Sequence, residues 1–140
     1  MFLTGDAFCM KKKSGNSKNW IYKAEEDFRT ATALSRSRKA RAYDNVCFFA
    51  QQCIEKYLKA ILTKRRCYFP KTHNLLELLD LAKLKNPTFE LLRPFLEKLN
   101  PYSVTFRYPG ENAVKKDAKQ ALLLMTTLRI ELRVKLGLKA

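Results

Sequence analysis

A chain of 140 residues, 46% of them apolar, is the size of one domain with its own buried core, which excludes a disordered chain. Its 28 lysines and arginines against 13 acidic residues leave a formal charge of +15. That excess favours polyanions as partners: RNA, DNA, nucleotides or an acidic protein.

Residues 1–17 read as a flexible basic leader, with Lys11-Lys12-Lys13-Ser14-Gly15-Asn16-Ser17 small and polar, and the domain as residues 18–140. The start lacks the basic-then-apolar order of a signal peptide, and no apolar run reaches membrane-span length. A cytoplasmic protein with reduced thiols is expected.

Apolar residues at three- and four-residue steps (Trp20, Ile21, Ala24, Phe28, Ala31, Leu34) predict a first helix over about 19–37. Glu25, Glu26 and Asp27 are expected in its first turns, where the helix dipole favours anions. Arg36, Arg38, Lys39 and Arg41 crowd its end, either matching the dipole there or forming one edge of an anion-binding surface. A second helix over about 41–65 carries the stripe Tyr43, Val46, Cys47, Ala50, Cys53, Ile54, Tyr57 and Ile61. Phe48 and Phe49 fall off that stripe, which suggests a helix central in a bundle or facing a second subunit. Gln52, Glu55, Lys56 and Lys59 lie opposite the stripe, as a solvated face would.

After Arg66-Cys67-Tyr68-Phe69-Pro70-Lys71, Thr72 is expected to cap a third helix rich in leucine, with Glu77 a little beyond capping-box spacing. Asn86-Pro87-Thr88 ends it. A fourth helix is predicted over about 88–99, and Pro94 should kink it or mark its true start. Residues 100–112 form a long loop, the kind that tends to carry function. A fifth helix over about 113–136 ends before Gly137, a natural C′ residue. With no alternating runs and no repeats, the fold is all-α: an antiparallel up-and-down bundle of four to five helices.

Cys9, Cys47, Cys53 and Cys67 form no CxxC pair. Cys47 and Cys53 read as core residues, and one histidine with unpaired cysteines makes a zinc site improbable. No cofactor or metal is expected. His73, the sole histidine, is placed in the first turn of the third helix beside free N–H groups. There it suits either anion recognition or a capping and packing role. Arg107 and Tyr108 precede Pro109-Gly110 in the long loop and offer a fork for phosphate and a stacking face for a base. Alternatively, Arg107 ties the loop to a carboxylate such as Glu55.

Three segments, Ala50-Gln51-Gln52-Cys53-Ile54-Glu55-Lys56-Tyr57-Leu58-Lys59-Ala60, Thr72-His73-Asn74-Leu75 and Phe106-Arg107-Tyr108-Pro109-Gly110, together resemble the bacterial and archaeal HEPN proteins over roughly residues 18–136. Trp20 and Asp27 fit the same pattern. The resemblance implies an antiparallel helical bundle, usually a homodimer. It also implies a minimal nucleotidyltransferase as partner, often in a toxin–antitoxin system. Active family RNases place an Arg four to six residues before a His. Here Asn112 stands where such a histidine belongs, and asparagine cannot act as acid or base near neutral pH. Arg66 and His73 have the spacing but precede the third helix, and Asn74 replaces an Asp common after this His. The resemblance therefore implies binding of nucleotide or RNA through Arg107, Tyr108, His73, Asn112, Lys56 and Lys59. The alternative is a metal-independent RNase using Arg107 and His73.

Overall fold

In a computed structural model, residues 16–37 and 42–140 are described. Five α-helices carry the fold: α1 (Ser17–Arg36), α2 (Tyr43–Lys64), α3 (Leu75–Lys83), α4 (Arg93–Leu99) and α5 (Lys115–Lys135). Short 3-10 turns occupy Pro87–Leu92, Asn100–Ser103 and Thr105–Arg107, and there is no strand among the described residues. The expected leader falls outside the described residues up to 15, and so do Arg38, Lys39 and Arg41; Ser17 already belongs to α1.

α2 is the hub. It packs on α1 most extensively, then on α5, and also meets α3, α4 and two of the 3-10 turns. α1 runs against α2, because Glu25 meets Tyr57 while Trp20 lies beside Lys59 further along. α5 runs with α2, since Asp44 meets Ala113 and Lys64 meets Leu136. α3 also follows the direction of α2, because residues 66–74 return along α2 before α3 begins, and α4 reverses again. The expected all-α bundle is thus present, with α1 and α4 antiparallel to the other three.

The apolar stripes predicted from periodicity form the core. Cys47, Ala50, Cys53, Ile54, Tyr57 and Ile61 of α2 are buried, with Leu75, Leu78, Leu79, Phe89, Leu96, Leu99, Met125, Leu128 and Leu132 around them. Each fully buried large side chain contributes about 1.5–3 kcal/mol. Cys47 and Cys53 are free and buried, as expected; burial pushes the Cys47 thiol up to about 12 and the Cys53 thiol well above its usual value.

Several local expectations change. Asn16 caps α1 by accepting from the Asn19 amide, so Glu25, Glu26 and Asp27 fall in its third turn and not its first. Glu25 instead serves as an anchor between helices. Arg129 of α5 reaches it with two hydrogen bonds at 2.7 and 2.9 Å, and the Tyr57 hydroxyl donates to it. Arg133 donates to the same hydroxyl at 2.9 Å. Burial raises the Glu25 pKa, but the hydrogen bonds from Arg129 and Tyr57 and the nearby positive charge outweigh it and hold the carboxyl below its usual value. The fourth helix is a 3-10 turn capped by Asn86, followed by α4, with Pro94 in the first turn of α4, where its missing N–H costs nothing.

Two helix ends show the same C-terminal motif with different residues. After α5, Gly137 sits at C′ with φ +79°, and Leu138 donates to the Arg133 carbonyl. After α2, Cys67 donates to the Leu62 carbonyl and Arg66 occupies C′ with φ +56°. A non-glycine residue there is strained by roughly 1 kcal/mol.

Arg66→Gly is therefore expected to stabilise the fold by roughly 0.5–1 kcal/mol, read as a higher urea midpoint. Glu25→Gln is expected to cost about 2 kcal/mol near neutral pH, because it leaves Arg129 and Arg133 without their counter-charge. A carboxyl with a lowered folded pKa stabilises above its unfolded value and loses that contribution on acidification. The gap between Glu25→Gln and wild type should therefore narrow as pH falls below the usual 4.5, in urea melts taken across the acid range.

Candidate functional site

Seen along α2, a second stripe recurs at three- and four-residue steps on the side away from the core: Asp44, Phe48, Gln52, Glu55 and Lys59. Of these, Gln52, Glu55 and Lys59 were expected on a solvated face; they are instead buried, because residues 66–74 lie back across them. Glu55 is 2% exposed and accepts from Lys59 at 2.9 Å and from Gln52 at 3.1 Å. His73 Nδ1 stands 3.1 Å from both Glu55 oxygens. Gln51 donates to the His73 carbonyl at 2.9 Å, so the covering segment is held by side chain and backbone together.

Two of the lysines expected to meet a ligand are committed elsewhere. Lys59 has only 8% of its side chain exposed, and its ammonium lies over the adjoining rings of Trp20 and Phe69, 5.4 and 5.9 Å from their centroids. Lys56 donates to Asp27 at 2.6 Å. Burial is the larger influence on Asp27 and raises its carboxyl pKa despite that bond.

His73 precedes α3 and is not in its first turn. Asn74 is the N-cap, accepting from the Leu76 and Glu77 amides, while Thr72 bonds the Glu77 carboxylate and the Asn74 amide. The Leu75 amide donates to Asn100 at 2.8 Å. The N–H groups that were to make this helix start an anion site are thus occupied. What His73 offers is its ring: 72% of the side chain is exposed, with Nδ1 turned to Glu55.

A separate cleft of about 500 Å³ opens at the start of α2, lined by Tyr43, Asp44, Asn45, Phe106, Arg107 and Asn112. Asp44 fixes its far wall by accepting from the Ala113 amide at 2.7 Å. The loop above it is built by its sequence. Pro109 and Gly110 take the central positions of a turn closed by the Glu111 amide on the Tyr108 carbonyl, with Gly110 at φ +92°. That turn brings Asn112 back beside Arg107. The Arg107 guanidinium lies over the Phe48 ring, 4.1 Å from its centroid. It ties to no carboxylate among the described residues, so the alternative of a link to Glu55 is not realised. Tyr108 stands 66% exposed beside the cleft.

The expected residues therefore separate. Arg107 and Asn112 share one cleft with Tyr108 at its edge; His73 and Lys59 belong to the Glu55 network; Lys56 is bound to α1. Phe48 and Glu55 are seven residues apart, so the two clusters sit on one side of α2, roughly 10 Å apart along its axis. Asp44, Asn45 and Phe48 were not singled out as site residues, although their spacing with Gln52 and Glu55 marks one helix face. Among the described residues, no three His, Cys, Asp or Glu side chains are placed to hold a metal, and no helix is long and apolar enough to cross a membrane.

These features define a small helical-bundle protein with a partly buried polar face on its central helix. The HEPN domain model matches residues 17–133, and the chain belongs to the HEPN domain family. Among solved structures it is similar to TT1696 from Thermus thermophilus, with 25% identity and a TM-score of 0.66 over 85% of this chain and 97% of that one. It is also similar in fold to ST0689, an archaeal HEPN homologue, at 20% identity and a TM-score of 0.65 over 86% of this chain and 98% of that one. No curated protein matches the chain.

Removing either side of the Glu55–His73 pair should have unequal effects. Glu55→Ala strands the buried Lys59 and Gln52 and is expected to cost about 3–5 kcal/mol. His73→Ala removes an exposed ring and is expected to cost about 1 kcal/mol or less. Chemical denaturation of the two variants would compare them; equal losses would show that the histidine, not the lysine, is the partner that matters.

Proposed function

We propose that this protein binds the phosphates of a nucleotide or RNA in the Arg107 cleft. In this reading it is a homodimer that works with a minimal nucleotidyltransferase in a toxin–antitoxin-type module. The observation that carries the binding is Arg107 itself. Its guanidinium is held by the Phe48 ring, and its hydrogen-bond donors are not consumed by any carboxylate among the described residues. A planar cation positioned in this way is suited to a two-pronged grip on phosphate. Asn112 beside it supplies a donor and an acceptor for a base or ribose, and the exposed Tyr108 ring supplies a stacking face. The net charge of +15 favours the approach of such a ligand. Family membership supports the homodimer and the nucleotidyltransferase partner.

Cleavage of RNA is the second reading, and one observation favours it. Glu55 holds Nδ1 of an exposed imidazole, an arrangement that orients a general base. Against it, the residue beside Arg107 in the cleft is Asn112, and His73 is not among the residues lining that cleft.

Arg107→Ala is expected to weaken binding of fluorescent ATP and of RNA by tenfold or more, the scale of a lost charge-assisted contact. Wild type is expected to leave total RNA intact. Undiminished binding by Arg107→Ala would remove the basis of the reading, and RNA breakdown that depends on both Arg107 and His73 would establish the second.

A further inference from the structure

We propose that the Arg107 cleft is one end of a longer groove for single-stranded RNA. Its second phosphate site is a cationic cleft made by Arg36, Lys115 and Lys119. The inference rests on the reading of Arg107 as a phosphate ligand and extends it from a single nucleotide to a strand.

This second cleft, of about 510 Å³, lies between the end of α1 and the start of α5. Its lining includes Arg36, Lys115 and Lys119 together with the apolar side chains of Leu34, Ala118 and Leu122. It shares Ala42 and Tyr43 with the Arg107 cleft, so the two meet at the start of α2. None of the three cations forms an ion pair among the described residues. Two acidic groups close to the path are engaged, Asp44 accepting from the Ala113 amide at 2.7 Å and Asp117 from the Val114 amide at 2.9 Å, while Glu111 beside Asn112 is exposed.

The helix dipole accounts for Arg36, in the last turn of α1, but not for Lys115, the first residue of α5, where it disfavours positive charge by a few tenths of a kcal/mol. A cation that costs stability where it stands, on the wall of an open cleft beside two others, is suited to a ligand that repays it. The apolar floor accommodates a base or the face of a ribose, and the half-buried Tyr43 at the junction offers a ring between the two phosphate sites. Each cleft has the volume of a small-ligand pocket. A strand of unpaired nucleotides can enter such spaces, whereas a duplex keeps its bases stacked and paired.

The test uses the full chain, a labelled twelve-nucleotide oligouridine and fluorescent ATP. Wild type is compared with Arg107→Ala and with the double variant Lys115→Glu/Lys119→Glu, whose exposed positions leave the core intact and whose helicity is checked by circular dichroism. The double variant is expected to bind the oligomer at least tenfold more weakly and to bind ATP as wild type does. The salt dependence of oligomer binding should flatten by about 1.4 in log–log slope, for two lost phosphate contacts. Oligomer binding that the double variant retains, while Arg107→Ala loses it, would overturn the groove and leave the Arg107 reading standing. Equal loss of ATP and oligomer in the double variant would also overturn a distinct second site. Wild-type binding of both probes by Arg107→Ala would locate the failure in the Arg107 reading.

Discussion

The arrangement of this bundle depends on a carboxylate that cannot be left alone. Glu55 is buried in the middle of the central helix, and a buried ion is tolerated only with its charge and hydrogen bonds matched. Lys59 supplies the charge, Gln52 a donor, and His73 the remaining contact from the segment that covers them. Gln51 fastens the backbone of that segment one turn earlier. The covering strap in turn fixes where α3 can begin. The start of α3 takes Asn100 as its partner, and Asn100 lies at the head of the loop that presents Arg107. A polar contact on α2 is thereby linked, through a series of hydrogen bonds, to the geometry of a cleft two turns away.

The parts of the fold that were legible in the sequence are those governed by a single helix and its period. Ala50, Cys53, Ile54 and Tyr57 announce one buried face, and they form it. The parts that were not legible depend on what lies over a helix. Gln52, Glu55 and Lys59 have the composition of a solvated face, and nothing in their spacing reveals that residues 66–74 fold back across them. Caps show the same limit at smaller scale. Thr72 and Asn74 both have side chains able to cap α3; the helix starts at Leu75, so Asn74 takes the cap, and Thr72 accepts from the Asn74 amide just before it. Glu25, Glu26 and Asp27 fall in the third turn because the helix starts at Ser17, and of the three Asp27 is buried.

For the site, the loop was more legible than the helix beneath it. Pro109-Gly110 specifies a tight turn by the allowed backbone angles of those two residues, and the turn returns the chain so that Asn112 lines the same cleft as Arg107. The support for Arg107 was not legible. A carboxylate partner was a reasonable expectation for an arginine near α2, but Glu55 already has three partners and stands roughly 10 Å further along. Phe48, which sequence periodicity leaves off the core stripe, is the residue that fills this place. An aromatic ring holds the guanidinium without neutralising it, which a carboxylate would have done.

Charge is distributed by the same logic. The acidic side chains are few, and several are drawn into ion pairs: Glu25 with Arg129 of α5, Asp27 with Lys56 of α2, Glu55 with Lys59 within α2, and Glu90 and Asp80 with Arg93. Each such contact removes a negative charge from the surface available to a ligand. Around the start of α2 the two carboxylates Asp44 and Asp117 are likewise turned to backbone amides. At one end of the bundle, Arg36 at the end of α1, Lys115 and Lys119 at the start of α5 and Arg107 on the loop before it line the two clefts without an ion pair among the described residues, which leaves that end fit for a polyanion.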